Sequence, residues 1–472
     1  MKIGTLKINW VGPQFADYSL AIVNRCICRY LQQDTQIALR IKIPEQEIPL
    51  CRSLTAAEKG RFLYFPEADF TIVHQWPPDW TTPKSRYWIC MQPWEYGAIP
   101  REWYIPMKYW VDEIWVYSLY NKESYARCGI PEDKIHVIPL GVNENVFHDD
   151  VEPLNLETTS FRFLFVGGTI GRKGIDILIE AYLNEFTADD DVCLFIKDSG
   201  TQSFYKGITL EKMIFEAMSN PNNPRIVYMD KKFTAAELAG LYKACDCLVH
   251  PYRGEGFGLP IAEAMACGTP VVVPDKGSCL DFCSEETAFF VSSKEVALSE
   301  KKVSNLDTVD YPWWLSINRS DLQQVMRFAY ENRALVKEKG QKASHQILSS
   351  FTWKKSAQSV SNRINQLAQK EQNPKLSDED ITKMELEHGN ELYTENLIEN
   401  ALEIYLNILS TYPSSLLARY NVATVYIVQK NYISAIEHLA YIVNNMNQEK
   451  KDFQEKIWFM IKNCYSEIRS FK

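Results

Sequence analysis

One stretch limits what this chain can fold into more than any other: VHPYRGEGFGLPIAEAMACGTPVVV, residues 249–273. Its apolar start, Cys247-Leu-Val249, stops at Pro251. Gly254, Gly256 and Gly258 then let the backbone bend and approach a ligand closely. Pro260 suits a first helical turn, Gly268 suits a helix stop, and Val271-Val-Val273 resumes as a buried strand. The pattern is strand, glycine loop, helix, strand. It aims backbone N–H groups and the positive end of a helix at one point, which is an anion site suited to phosphate.

Two glutamates flank that point, Glu255 in the loop and Glu263 about a turn into the helix. Anions beside a phosphate need a purpose, and carboxylates hydrogen-bond well to vicinal hydroxyls. Phosphate plus hydroxyl-reading carboxylates suggests a nucleotide-sugar. The plain alternative is a capping Glu followed by a solvated helix Glu. With seven residues between them, inside EGFGLPIAEAMACGTPVV, the pair resembles the E-x7-E signature of retaining GT-B glycosyltransferases of the family-4 type (glycosyl transferases group 1). The resemblance implies that Glu255 contacts the donor sugar and Glu263 the nucleotide ribose. It also implies a donor cradle from Gly256, Phe257, Gly258 and Leu259, and catalysis without a metal.

At 472 residues the chain has room for two or three domains. A net charge of −9 leaves no basic surplus for a nucleic-acid partner. Twelve cysteines form neither a C-x-x-C pair nor a zinc spacing, which reads as buried, reduced thiols. No apolar run nears membrane-spanning length and the start lacks a signal-peptide core, so the expected location is the cytoplasm.

Residues 1–150 alternate short apolar runs with helical patterns, which predicts a parallel sheet in a Rossmann-like, acceptor-side domain. Its first strand breaks at Val11-Gly12-Pro13, without the dinucleotide fingerprint. Two aromatic loops, His74-Gln-Trp-Pro-Pro-Asp-Trp80 and Met91-Gln-Pro-Trp-Glu-Tyr-Gly97, would sit at the C-terminal edge of that sheet. They read as a substrate wall, with Gly12, His74, Trp94 and Glu95 as contacts and His74 among the catalytic candidates. The alternative is proline-fixed loops packed with tryptophan.

A second Rossmann-like, nucleotide-sugar-binding domain is expected over 151–370, ending in a helix that returns to the first domain. It opens with Phe161-Arg-Phe-Leu-Phe-Val166 running into Gly167-Gly-Thr-Ile-Gly-Arg-Lys-Gly174. That loop fails the P-loop pattern. It resembles the family's diphosphate-binding loop, which implies phosphate contacts from Gly167, Gly168, Thr169, Arg172 and Lys173. Gly168 stands where the family has Arg, so Arg172 is expected to supply the guanidinium. Asp189-Asp-Asp191 reads as an exposed acidic turn, not a metal motif.

Residues 375–472 are helical and self-similar. Ala401-Leu-Glu-Ile-Tyr405 recurs 34 residues later as Ala435-Ile-Glu-His-Leu439, a period that suggests a tetratricopeptide-like all-α domain. Such a tail offers a groove for a protein acceptor or partner, or a surface for a second copy in a dimer. The whole implies a retaining, metal-independent hexosyl transfer from a UDP-sugar, UDP-GlcNAc or UDP-Glc, to a hydroxyl. Ser or Thr of a bacterial surface or flagellar protein is the favoured acceptor, and a polysaccharide or glycolipid is the alternative. A non-catalytic sugar-nucleotide scaffold is the reading from another class.

Overall fold

The computed structural model describes residues 5–48, 60–62, 64–199, 207–372, 374–446 and 451–470. Two compact units emerge. One comprises residues 1–97, 111–299 and 312–372; the other comprises 98–110, 300–311 and 373–472. The chain expected to divide by sequence order therefore lends two internal segments to its helical unit.

The larger unit holds two six-stranded parallel sheets. The first runs β2-β1-β3-β4-β5-β6, from β1 (Leu6–Val11), β2 (Ile37–Lys42), β3 (Ala68–Val73), β4 (Ser85–Met91), β5 (Glu113–Val116) and β6 (Ile135–Val137). The second runs β12-β11-β10-β7-β8-β9, from β7 (Phe161–Gly167), β8 (Val192–Asp198), β9 (Arg225–Met229), β10 (Cys247–Val249), β11 (Val271–Pro274) and β12 (Ala288–Val291). Central strands read as continuous apolar runs because helices cover both faces of a parallel sheet. All seven residues of β8 are buried. In register, Leu164 lies between Leu248 and Phe195.

Local chemistry sets the helix starts. In the Ala235–Ala244 helix, Thr234 accepts from the Glu237 N–H at 3.2 Å while Glu237 accepts from the Thr234 N–H at 2.7 Å, a capping box. The Trp353–Ala368 helix returns to the first sheet. Its Arg363 grips Glu113 of β5 at 2.5 Å, and Ser361 bonds Asp34 at 3.0 Å. An antiparallel pair, β13 (Ser293–Ala297) and β16 (Trp313–Ile317), follows β12. Trp313 N–H donates to the Tyr96 carbonyl at 3.0 Å and Leu315 N–H to the Arg253 carbonyl at 2.8 Å. This pair therefore ties the loop after β4 to the loop after β10.

The smaller unit is built on helices Asp378–Thr394, Ile398–Thr411, Leu416–Val428, Tyr432–Asn445 and Lys451–Ser470, each packed on the next. The short pair β14 (Lys302–Val303) and β15 (Leu306–Asp307) belongs to it. Here the chain binds itself. Glu403 takes Arg101 at 2.5 Å and Lys301 at 2.6 Å, and Asn407 accepts from Arg101 at 2.9 Å. Buried Glu385 takes Lys108 at 2.7 Å and the Tyr109 hydroxyl at 2.5 Å. Among the described residues, no helix is long and apolar enough to cross a membrane.

Candidate active site

In each sheet the chain starts at an interior strand, builds outward to one side, then crosses to the other. The reversal falls between β1 and β3 in the first sheet and between β7 and β10 in the second. Neighbouring loops diverge there and leave a crevice at the strand ends. Gly12 and the 74–80 loop border the first crevice; the 167–174 and 250–258 loops border the second.

The second crevice is charged. Lys173 Nζ lies 3.0 Å from Glu255 Oε1, and Arg172 lies 3.9 Å from Glu255 Oε2 and 3.6 Å from Glu95 Oε1. Arg172 also donates to the Gly254 carbonyl at 2.6 Å, and the Arg253 N–H donates to the Arg172 carbonyl at 2.7 Å. These two bonds stitch the loops together. Burial pushes the Glu255 carboxyl up, but Lys173 and Arg172 more than offset it and hold the group down at about 2. Gly254 packs against the Glu95 carbonyl with no room for a Cβ. Gly258, at φ 97°, starts the Leu259–Ala266 helix without a side-chain cap. The Ile261 and Ala262 N–H groups both turn back onto the Gly258 carbonyl, at 2.9 and 3.1 Å, and the positive end of the helix dipole favours an anion there.

The other expected contacts divide. Glu263 accepts from the buried Tyr242 hydroxyl at 3.0 Å, and burial raises its carboxyl to about 7 despite that bond. Gly167 backs the Lys173 stem, and Gly168 is buried beside it. Thr169 turns away to Asp198, at 3.2 Å through its N–H and 3.1 Å through its hydroxyl. Phe257 packs on Phe282 with ring centroids 4.8 Å apart. Asp190 of the acidic turn is bound by Arg327 at 2.8 Å.

At the first crevice the histidine side chain is enclosed. His74 is wholly buried; its Nδ1 lies 2.5 Å from Asn24 Oδ1 and its Nε2 meets the Tyr117 hydroxyl. The Asn24 oxygen only accepts, so the proton sits on Nδ1 and Tyr117 donates to Nε2. Burial holds the imidazole neutral, with its pKa lowered to about 3. Gly12 lies against the His74 carbonyl. Both residues are buried. Trp94 stacks with Trp76 and leans on Tyr96 next to Glu95.

Sequence reasoning passed over several residues. His250, straight after β10, is fully buried, stacks on Phe165 at 5.2 Å and feels Glu255, Lys173 and Arg172; burial lowers it to about 4. Arg253 forks onto Asp176 at 2.7 and 2.6 Å, securing the start of the helix after the 167–174 loop. His250 and Arg253 lay within the opening motif, where position after a strand and charge beside glycine were usable signals. Asn24 and Tyr117 carried no such signal, because their partner is 50 and 43 residues away in the chain.

With this geometry in place, comparison with known proteins is informative. Residues 160–306 match the family of glycosyl transferases group 1. The group 1 region holds both loops of the charged crevice. A D-inositol 3-phosphate glycosyltransferase of Arthrobacter sp. (strain FB24) is 33% identical over 150 residues, 31% of this chain and 35% of that protein. The chain spans 35–38% of the length of such curated relatives. A glycosyltransferase from Rickettsia africae ESF-5 superposes with a TM-score of 0.56 at 16% identity, over 78% of this chain and all of that one. An Anabaena protein solved with UDP and glucose gives 0.51 at 13% identity, over 76% and 99%. At such identities the likeness establishes the fold, GT-B with two Rossmann-like domains.

Proposed function

We propose that the protein is a metal-independent, retaining glycosyltransferase that moves a hexose from a nucleotide-diphosphate sugar to a hydroxyl. The observation that carries this is the convergence of Lys173, Arg172 and Glu255 beside an uncapped helix N-terminus at the second switch point. A donor diphosphate entering there would exchange the carboxylate partners of Lys173 and Arg172 for its own oxygens. As the bond from the anomeric carbon to the diphosphate oxygen breaks, the electron pair leaves with the phosphate, and both cations stabilise that charge. The acceptor hydroxyl attacks on the face the diphosphate leaves, and a leaving phosphate oxygen takes its proton. Glu255 orients the sugar, Glu263 the ribose, and Glu95 reaches toward the acceptor side.

UDP-glucose and UDP-GlcNAc are the donors to test first, since a structural neighbour was solved with UDP and glucose. A polypeptide acceptor rests on the repeats offering an open groove. In the helical unit, Glu385, Glu403 and Asn407 are already engaged by Lys108, Arg101 and Lys301, which supports the carbohydrate acceptor instead. The assay is UDP release and transfer with purified full-length protein, with and without chelator. Glu255→Gln and Lys173→Met should each lose activity while melting as the parent does. Undiminished transfer by both variants overturns the site, loss of activity on chelation overturns the metal-free mechanism, and an inverted anomer overturns retention.

A further inference from the structure

The larger unit carries a second cavity apart from the reacting groups. It lies where β13 and β16 meet the starts of the Ile175–Glu185 and Arg319–Glu331 helices, and its volume is about 570 Å³. That is ample for a small ligand. Strand alternation along β16 turns Trp313 and Leu315 into the core, at 7% and 0% exposed, and leaves Trp314 and Ser316 to line the cavity. Val296, paired across from Trp314 on β13, lines it too. Arg319, Ser320 and Gln323 reach it from the first turns of one helix, where positions three and four apart share a face.

Apolar surface comes from Ile177, Val296 and the half-buried Trp314 indole. The Ser316 and Ser320 hydroxyls and the Gln323 amide hydrogen-bond to no other described residue, and each can both donate and accept. The guanidiniums already have counter-ions: Arg253 forks onto Asp176 at 2.7 and 2.6 Å, and Arg319 meets Glu180 at 2.6 Å. Arg253 also joins the cavity to the charged crevice. Its guanidinium lies over the Trp314 indole at 5.1 Å and donates to the Gly171 carbonyl, while its backbone N–H holds the Arg172 carbonyl at 2.7 Å.

This lining favours one ligand chemistry. A phosphate or carboxylate only accepts hydrogen bonds, and it would stand near Asp176 and Glu180 with no unpaired cation to draw it in. A sugar hydroxyl both donates and accepts, and a pyranose carries several around a ring with apolar C–H groups. We propose that the cavity is a second saccharide site, taking a pyranose unit of a neutral glycan, and that Arg253 couples its occupancy to the 167–174 loop. A ligand against Trp314 acts on the residue that fixes two carbonyls of that loop. The coupling rests on the reading of the loop as the donor's diphosphate cradle; the saccharide site does not.

Calorimetry on the full-length protein tests both parts, with maltotriose, cellotriose and chitotriose as probes in turn and UDP as the second ligand. The parent protein should bind at least one trisaccharide. Removing two polar groups together, Ser316→Ala with Gln323→Ala, should weaken that binding about tenfold. Gln323→Trp, which fills the cavity, should abolish it while UDP still binds. Gln324→Ala, the exposed neighbour outside the lining, should leave it unchanged. Saturating saccharide should shift UDP affinity about threefold or more, and saturating UDP should shift saccharide affinity by the same factor. Failure of every trisaccharide to bind the parent, or full binding by Gln323→Trp, overturns the site. So does a cavity that takes inorganic phosphate and no sugar. UDP affinity indifferent to saturating saccharide overturns the coupling. If UDP fails to bind the parent while saccharide binding depends on Gln323, the donor-site reading and the coupling fall and the saccharide site stands.

Discussion

The two switch points of the larger unit are the same topological device put to opposite uses. Beside β1 and β3 a neutral histidine is enclosed between Asn24 and Tyr117, and Gly12 lies against its carbonyl. Between β7 and β10 the crevice holds two cations, two carboxylates and a bare helix end. A switch point therefore supplies a place, while the residues lining it decide whether that place is core or site. Burial lowers His74 to about 3, with no opposite charge among the described residues offsetting it. Burial fails to raise Glu255 because two cations do stand beside it.

The comparison breaks most visibly if the charged crevice can lose its charges cheaply. Removing Lys173 or Glu255 should lower kcat for transfer by about 10²–10³-fold, the scale of losing one preorganised charge-stabilising group, with little change in melting temperature. The enclosed histidine should answer in the other currency. His74→Ala leaves the Tyr117 hydroxyl short of a partner and the Asn24 oxygen with only the Trp10 indole N–H, so about 2–3 kcal/mol of stability should go, as denaturant unfolding would show. Its pH dependence has a definite sign. The folded-state value of about 3 lies below the ordinary 6.5, so the stabilisation is full above 6.5 and drains away as pH falls toward 3. In a His74→Asn variant that acid loss should shrink.

The helical unit offers a smaller effect. Glu403→Ala removes the carboxylate that Arg101 and Lys301 share, leaving Arg101 on Asn407 and Thr308 and Lys301 near Asp310, and about 1–3 kcal/mol should be lost from the unfolding of that unit, followed by helical circular dichroism. An unchanged transition would mean these pairs are idle. Smallest of all is the effect of Glu263. Its carboxyl, raised by burial to about 7, ionises through neutral pH, and the ionised form accepts two ribose hydroxyls best. UDP affinity should therefore rise a few-fold as pH climbs through 7, and Glu263→Gln should flatten the rise. The same ionisation opposes folding: the stability that the protonated carboxyl contributes is full below the ordinary 4.5 and is lost as pH rises through about 7.

Much of the charged crevice was legible in the chain. Gly254, Glu255, Gly258 and Glu263 sit within ten residues of one another, so their spacing is itself the geometry of one loop and one helix. Arg172 and Lys173 were legible for the same reason, on a second strand–loop–helix unit. The departure at Gly168 was readable, and so was a guanidinium from Arg172; its actual partners, Glu95, Glu255 and the Gly254 carbonyl, were not. His74 shows where such reading stops. A histidine after a strand, among tryptophans, looks the same in sequence whether its ring faces a substrate or an asparagine on the Ser19–Leu31 helix. The tail shows it again: the 34-residue period announces paired helices, but not that residues 98–110 and 300–311 join them.

Sequence by itself determined the alternating β and α elements, two glycine loops that open helices, and the carboxylates and cations that belong to them. All of these depend on residues near one another in the chain, where backbone conformation and spacing settle position. Tertiary structure alone decided that His74 lies enclosed against Asn24 and Tyr117, that Glu95 faces Arg172, that Trp76 stacks on Trp94, and that Glu385 and Glu403 meet Lys108, Arg101 and Lys301. Each of those joins residues from distant segments, and only packing determines which side chains meet there and how much water they keep.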